Sequence, residues 1–186
     1  MQKVAITGIS SPVGLAAARY FERNGFSIRG LSRNPDNLQV KYDVWAGDLS
    51  SETFEALGFL TDIDVIVHCG AEVVHKNSMF AVNINGTKKL LVAAKKNGIR
   101  HWIQLSSCGA YGSPDHGVVS EISSEKPSEI YEFTKTEADN LVKTSGLDYT
   151  IIRPSVIVSP HMKSKGFFDL AKVIRLGVVI PSSSDM

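Results

Sequence analysis

Short apolar runs alternate with helix-patterned segments along almost the whole chain, and this alternation restricts the fold more than any other feature. Lys3–Ile9, Phe26–Leu31, Asp43–Ala46, Asp64–His68, His101–Ser107 and Tyr149–Pro154 read as strands. Between them Pro12–Arg23, Ser51–Leu57, Met79–Asn97 and Tyr131–Thr144 read as helices; Phe167–Leu176 reads as another, and Val178–Ile180 as the start of a further strand. Pro12 suits a first helical position, Val13, Ala16, Ala17, Tyr20 and Phe21 share one face, and Asn24-Gly25, Gly98 and Gly146 supply stops. The strands are nearly continuous apolar runs, as burial on both faces requires. Strand–helix alternation implies right-handed crossovers, so the expected class is α/β, a doubly wound parallel sheet of Rossmann-like form.

The chain of 186 residues is long enough for one domain that buries about 70% of its unfolded surface. Lys plus Arg is 20 and Asp plus Glu is 19, a net charge of +1. Such a balance lacks the basic excess that nucleic-acid binding calls for. Two cysteines, Cys69 and Cys108, form no CxxC pair, which excludes a disulfide framework and zinc spacing and fits a reducing compartment. The five histidines show no ligand spacing, so no metal site is expected. Trp45 and Trp102 read as core or sheet-flank residues. The start, Met1-Gln2-Lys3-Val4, lacks a signal-peptide pattern, and no apolar stretch approaches the ~20 residues of a membrane span. The expectation is a cytoplasmic protein with no membrane or nucleic-acid partner.

Three places carry chemistry. Thr7–Gly14, between the first strand and first helix, holds Gly8 and Gly14 six apart, with Ser11 where a middle glycine would stand. Glycines there allow a tight turn and close approach of a pyrophosphate, and the helix start offers free N–H groups to it. At the end of the second strand, Ser32 and Arg33 stand where an acid would bind the ribose 2′-hydroxyl of NAD; a hydroxyl and a guanidinium suit the 2′-phosphate of NADP. Tyr131 and Lys135, four apart, share a helix face. A nearby ammonium is expected to lower the pKa of the phenol, making it an acid/base near neutral pH. The Ser106-Ser107 pair at the tip of the fifth strand could hold a substrate oxygen. Between them lies a long Gly-, Ser- and Pro-rich segment, Cys108–Ile130, read as a functional loop.

Taken in order, these residues resemble the short-chain dehydrogenase/reductase superfamily in its extended branch, the NAD(P)-dependent epimerase/dehydratase family. The first turn, including Ser10, Pro12 and Val13, is similar to TGxxGxxG. Asp48-Leu49 looks like the pair that holds the adenine. His68-Cys69-Gly70-Ala71 looks like the segment along the cofactor, and Asn83 through Thr87 resembles NxxGT. Ser106–Gly112 matches SSxxxYG, which places the catalytic hydroxyl on Ser107, and Tyr131 with Lys135 matches YxxxK. Arg153-Pro154 through Pro160 is similar to RPxxVxGP, with Ser159 in the glycine's place. The resemblance implies that Tyr131 is the acid/base, Ser107 the substrate-oxygen donor, Lys135 a ribose ligand that tunes Tyr131, and Asn83 a support. It implies an NAD(P) cofactor, which the Ser32-Arg33 tip narrows to NADP with NAD as the other choice, and hydride transfer to or from a small-molecule carbonyl or secondary alcohol.

Ser107 is followed by Cys108-Gly109 rather than Asp-Glu, which disfavours dehydration. A sugar-nucleotide epimerase is the enzymatic alternative, and a dinucleotide-binding sensor without turnover the non-enzymatic one. Relatives of the family continue through another core strand and a carboxy-terminal substrate domain, so residues 1–160 are expected to form the dinucleotide-binding domain and 161–186 the start of a truncated or minimal substrate region. Relatives also pair as two-fold dimers through two helices. Ala93, Ala94, Ala138, Leu141 and Val142 could supply that face, so a homodimer is expected.

Overall fold

The computed structural model describes residues 1–112, 118–159 and 165–177. Its six strands are β1 (Lys3–Thr7), β2 (Ser27–Ser32), β3 (Asp43–Ala46), β4 (Val65–His68), β5 (His101–Leu105) and β6 (Tyr149–Ile152). They form one sheet in the order β3-β2-β1-β4-β5-β6, and every neighbouring pair is parallel. The reversal of strand order falls between β1 and β4, and in open α/β sheets such a switch point opens a crevice at the carboxyl ends of the strands.

The strand alternation sorts two cores. Val4, Ile6, Ile28 and Val67 pack with Ala18 of α1 (Pro12–Arg23) on one face. Ala5, Leu31, Ile66 and Trp102 pack on the other, against α2 (Ala56–Phe59), α4 (Thr87–Lys96) and α5 (Ile130–Lys143). Trp102 is fully buried and donates its indole N–H to Gln104 Oε1 at 2.9 Å. Trp45 flanks the sheet, edge-on to Phe59.

Strands end earlier than the apolar runs do. β1 stops at Thr7 because Gly8 takes φ +64°, a left-handed conformation that ends the ladder and that glycine adopts without steric cost. The expected helix at Ser51–Leu57 is instead a turn followed by the short α2. Asp48 accepts from Ser50, and the Ser51 hydroxyl accepts from the Thr53 N–H; such local side-chain bonds compete with a helix ladder. The Met79–Asn97 helix begins earlier, at α3 (Lys76–Met79), and runs through a π turn at Phe80–Gly86 into α4.

The Cys108–Ile130 segment begins as a 3₁₀ turn at Cys108–Tyr111. It is tied back by Lys126 N–H to the Ala110 carbonyl and by Glu125 to Lys143 and Arg153. After β6 comes α6 (Lys165–Arg175); the expected strand at Val178–Ile180 lies outside the described residues. Ala93, Ala94, Ala138 and Val142, expected to supply a dimer face, are buried within the monomer. The exposed apolar residues on that side are Phe80, Val92 and Phe133. Among the described residues, no helix is long and apolar enough to cross a membrane.

Candidate active site and dinucleotide cleft

A cleft of about 170 Å³ lies at the carboxyl ends of β1, β2, β3 and β4. Gly8, Ser10, Ser11, Ser32, Arg33, Asp48, Leu49, Gly70 and Ala71 all line it, so residues 63 apart in sequence meet there. Gly14 does not line it but makes it. A Cβ at Gly14 would stand 2.3 Å from the Gly8 carbonyl oxygen, so only glycine lets α1 start this close to the β1 turn. Ser11 needs no glycine, with φ −79°, and its hydroxyl accepts from the Gly14 N–H at 3.0 Å as the helix N-cap. That bond leaves the Val13 N–H as a donor without an acceptor inside the helix, at the positive end of the macrodipole.

Pro12, Val13 and Pro154 line a neighbouring groove, together with Leu105, Ile157 and Val158. Sequence reasoning missed four wall residues of the first cleft: Leu31, Gly47, Glu72 and Val82. Glu72 is a fixed anion. Its Oε1 accepts from the N–H groups of His75 and Val74, which hold its pKa down at about 2.

Behind the cleft, one chain of bonds joins β1, β4 and the π turn. Thr87 donates to the Asn83 carbonyl at 2.6 Å, so it accepts from His68 Nε2 at 3.0 Å. His68 Nδ1 then accepts from the Thr7 hydroxyl at 2.7 Å, while Thr7 Oγ1 accepts from the Gly70 N–H at 2.9 Å. This fixes the Nε2–H tautomer of a neutral imidazole; burial, with Lys135 nearby, lowers its pKa to about 3. Asn83 clamps Glu72 through its main-chain N–H and C=O and donates to Thr134 Oγ1, which in turn donates to the Tyr131 carbonyl. The π turn thus ties the cleft loop to α5, and π turns are common at functional sites.

At the end of β5, three consecutive residues face α5 or the turn after it. The Leu105 carbonyl accepts from Lys135 Nζ at 2.6 Å, Ser106 donates to Asp139 Oδ2 at 2.7 Å, and Ser107 caps the 3₁₀ turn by accepting from Gly109 N–H at 3.1 Å. Burial lowers the pKa of Lys135 to about 8. The expectation for Tyr131 is corrected. Its phenol pKa is raised, by burial first and by the Asp139 carboxylate second, and the ammonium meant to lower it is bonded to the Leu105 carbonyl. Cys69, also in the cleft wall, has its thiol pushed up to about 11 by burial, and both cysteines are free thiols. No cluster of candidate metal ligands occurs among the described residues.

Residues 4–178 match the sequence profile of the NAD dependent epimerase/dehydratase family. The chain belongs to this family. One relative is sterol demethylase protein B of Methylococcus capsulatus, 29% identical over 171 residues that cover 83% of this chain and 51% of that protein. Among solved structures, a short-chain dehydrogenase/reductase superfamily protein from Agrobacterium tumefaciens with bound NAD is 25% identical, with a TM-score of 0.74 over 82% of this chain and 48% of that one. The Bordetella bronchiseptica enzyme WbmH in complex with NAD+ shares the fold at a TM-score of 0.81 and 21% identity, over 95% of this chain and 63% of that one. The chain spans about half the length of the first two of these relatives.

The cleft of this family member suits a nicotinamide dinucleotide on its own geometry. Gly8 and Gly14 keep the β1 turn close to the α1 start, Val13 leaves an N–H there for a pyrophosphate, and Arg33 is exposed at the rim. Tyr131, Lys135 and Asp139 follow each other at helical spacing on α5, so Asp139 was open to sequence reasoning and was missed.

Proposed function

We propose that residues 1–160 form the cofactor-binding domain of an NADP-preferring oxidoreductase, acting on a small-molecule carbonyl or secondary alcohol, and that residues 161–186 begin its substrate region. The observation that carries this reading is the meeting of β5 and α5: the strand end bearing Ser107 is bonded to the same helix face that bears Tyr131 and Lys135. When bound, the nicotinamide supplies or takes up hydride.

The chain's own residues orient the reaction and move the proton. Ser107 donates a hydrogen bond to the substrate oxygen. Tyr131, whose raised pKa keeps it protonated at neutral pH, gives its proton to that oxygen as charge develops there. Lys135, bonded to the Leu105 carbonyl, supplies positive charge at the end of β5 and holds the nicotinamide ribose. Asp48 and Leu49 hold the adenine end, Gly70 and Ala71 flank the cofactor, Asn83 supports the loop that carries Glu72, and Pro154 lines the adjoining groove. Ser32 and Arg33 receive the 2′-phosphate: Arg33 is exposed at the rim, and the tip of β2 itself carries Ser32, Arg33 and Asn34 rather than an acid.

A spectrum of the purified protein for bound nicotinamide, followed by NADPH oxidation against a mixture of carbonyls, tests the reading. Carbonyl-dependent oxidation supports it. Tight binding without turnover would favour a sensor, and tightly retained NAD with sugar-nucleotide interconversion an epimerase. A homodimer formed through the side bearing Phe80, Val92 and Phe133 is part of the proposal, and light scattering showing a clean monomer at tens of micromolar would reject it.

A further inference from the structure

Asp139 is fully buried, and buried carboxylates persist where they are paired. Its Oδ2 accepts three bonds: from Ser106 Oγ at 2.7 Å, from Arg153 Nε at 3.1 Å and from Arg153 Nη2 at 3.0 Å. Its Oδ1 is buried with no hydrogen-bond partner among the described residues. Arg153 also donates to Glu125 and lies 4.9 Å over the ring of Tyr111. One carboxylate therefore joins the ends of β5 and β6 and, through Arg153, the segment after β5. It stands one helical turn from Lys135 and two from Tyr131 on α5.

The same three-residue strand end takes both α5 bonds. Leu105 receives Lys135, Ser106 donates to Asp139, and Ser107 follows. The ionisable groups around Lys135 are Asp139 on its own helix and His68 and Cys69 from β4 and its end. His68 is neutral and Cys69 a protonated thiol, so among the described residues Asp139 is the carboxylate acting on the buried ammonium. Arg153 faces Asp139 from the end of β6; burial raises the pKa of this carboxyl, and the bonds from Ser106 and Arg153 oppose that rise.

We propose that Asp139 is a positioning residue, whose buried carboxylate keeps Lys135 protonated and fixes the strand end that carries Ser107. The inference rests on the reading of Ser107, Tyr131 and Lys135 as the reacting set, but its test does not need turnover. Asp139→Asn keeps the shape and removes the charge. The ζ-nitrogen of Lys135, labelled with ¹⁵N and assigned by its absence in Lys135→Met, is titrated by NMR in the parent and the variant. The parent midpoint is expected at about 8, lowered by burial. In Asp139→Asn the midpoint falls below that value, with at least a tenfold loss of proton affinity, and Asp139→Glu restores most of it.

Should Asp139→Asn leave Arg153 buried, unpaired and the protein unfolded, the double variant Asp139→Asn/Arg153→Gln is measured against Arg153→Gln, so that the two differ only in the carboxylate, and the same fall is expected between them. An unchanged Lys135 midpoint in either folded variant overturns the proposal. The outcome is separate from the catalytic reading. Near-normal turnover of Tyr131→Phe would defeat that reading and leave the Lys135 titration as it stands.

Discussion

Lys135 donates its ammonium to the main-chain carbonyl of Leu105 at 2.6 Å, which fixes the cation to the end of β5 and not to the phenol of Tyr131 one turn earlier. Tyr131 then titrates high, under burial and the field of Asp139. At neutral pH the phenol is protonated, so in the proposed mechanism it acts first as an acid.

Tyr131→Phe should lose at least a hundredfold in turnover while retaining cofactor affinity, since general acid–base catalysis is worth about 10²–10⁴. The sign of the pH dependence follows from the raised pKa. Carbonyl reduction uses the protonated phenol, so it should hold through neutral pH and fall only at alkaline pH. Alcohol oxidation uses the phenolate and should climb with pH. Initial rates in both directions from pH 6 to 10 check this; an oxidation rate flat across that range would separate Tyr131 from the proton transfer.

Gly14→Ala tests the tight start of α1. The new Cβ would meet the Gly8 carbonyl oxygen at 2.3 Å, and main chain cannot yield there without moving β1 from α1. Overpacking of this kind costs about 1–3 kcal/mol, with Tm falling roughly 2–4 °C per kcal/mol for a chain of this size. Dinucleotide affinity should fall with it. Thermal melts unchanged within about 1 °C, with affinity intact, would contradict the role given to that contact.

His68 makes stability depend on pH. Its folded pKa is about 3, below the ordinary 6.5, through burial first and Lys135 second. Between those values the unfolded chain binds the extra proton, so the His68 contribution is whole above 6.5 and is lost progressively as pH falls toward 3. At about 1.4 kcal/mol per pH unit, the parent should lose roughly 2 kcal/mol from this residue between pH 7 and pH 5. Urea titrations at the two values should show a smaller loss in His68→Gln. Equal losses in both would mean that His68 is not held neutral.

Much of this was legible in the sequence because the inner strands β1, β2 and β4 are largely buried and read as continuous apolar runs. Six strands, the parallel class and the glycine turn could all be seen in that pattern, and the cleft lining followed from the motifs at the strand ends. What could not be read depends on side chains that meet only after folding. The Ser11 hydroxyl caps α1 through a bond that spacing alone does not announce. Ser50, Ser51 and Thr53 spend their hydroxyls on a turn, so the helix expected there begins at Ala56. Spacing makes Lys135 the partner of Tyr131, because four residues make one helical turn, yet the carbonyl of Leu105, 30 residues away, holds the same ammonium. The alanines of α4 and α5 read equally well as an interface or as core, and burial in the monomer decides for core.

The cleft at the ends of β1, β2, β3 and β4, with Arg33 exposed at its rim, is the centre of the account, and calorimetric titration of the protein with NADPH and with NADH tests it most directly. NADPH should bind at least tenfold tighter, about 1.4 kcal/mol from one charge-assisted contact to the 2′-phosphate. Arg33→Asp should reverse the order, because a carboxylate repels that phosphate and accepts from a 2′-hydroxyl. Equal affinities for the two nucleotides in the parent, or no heat of binding from either, would contradict the account.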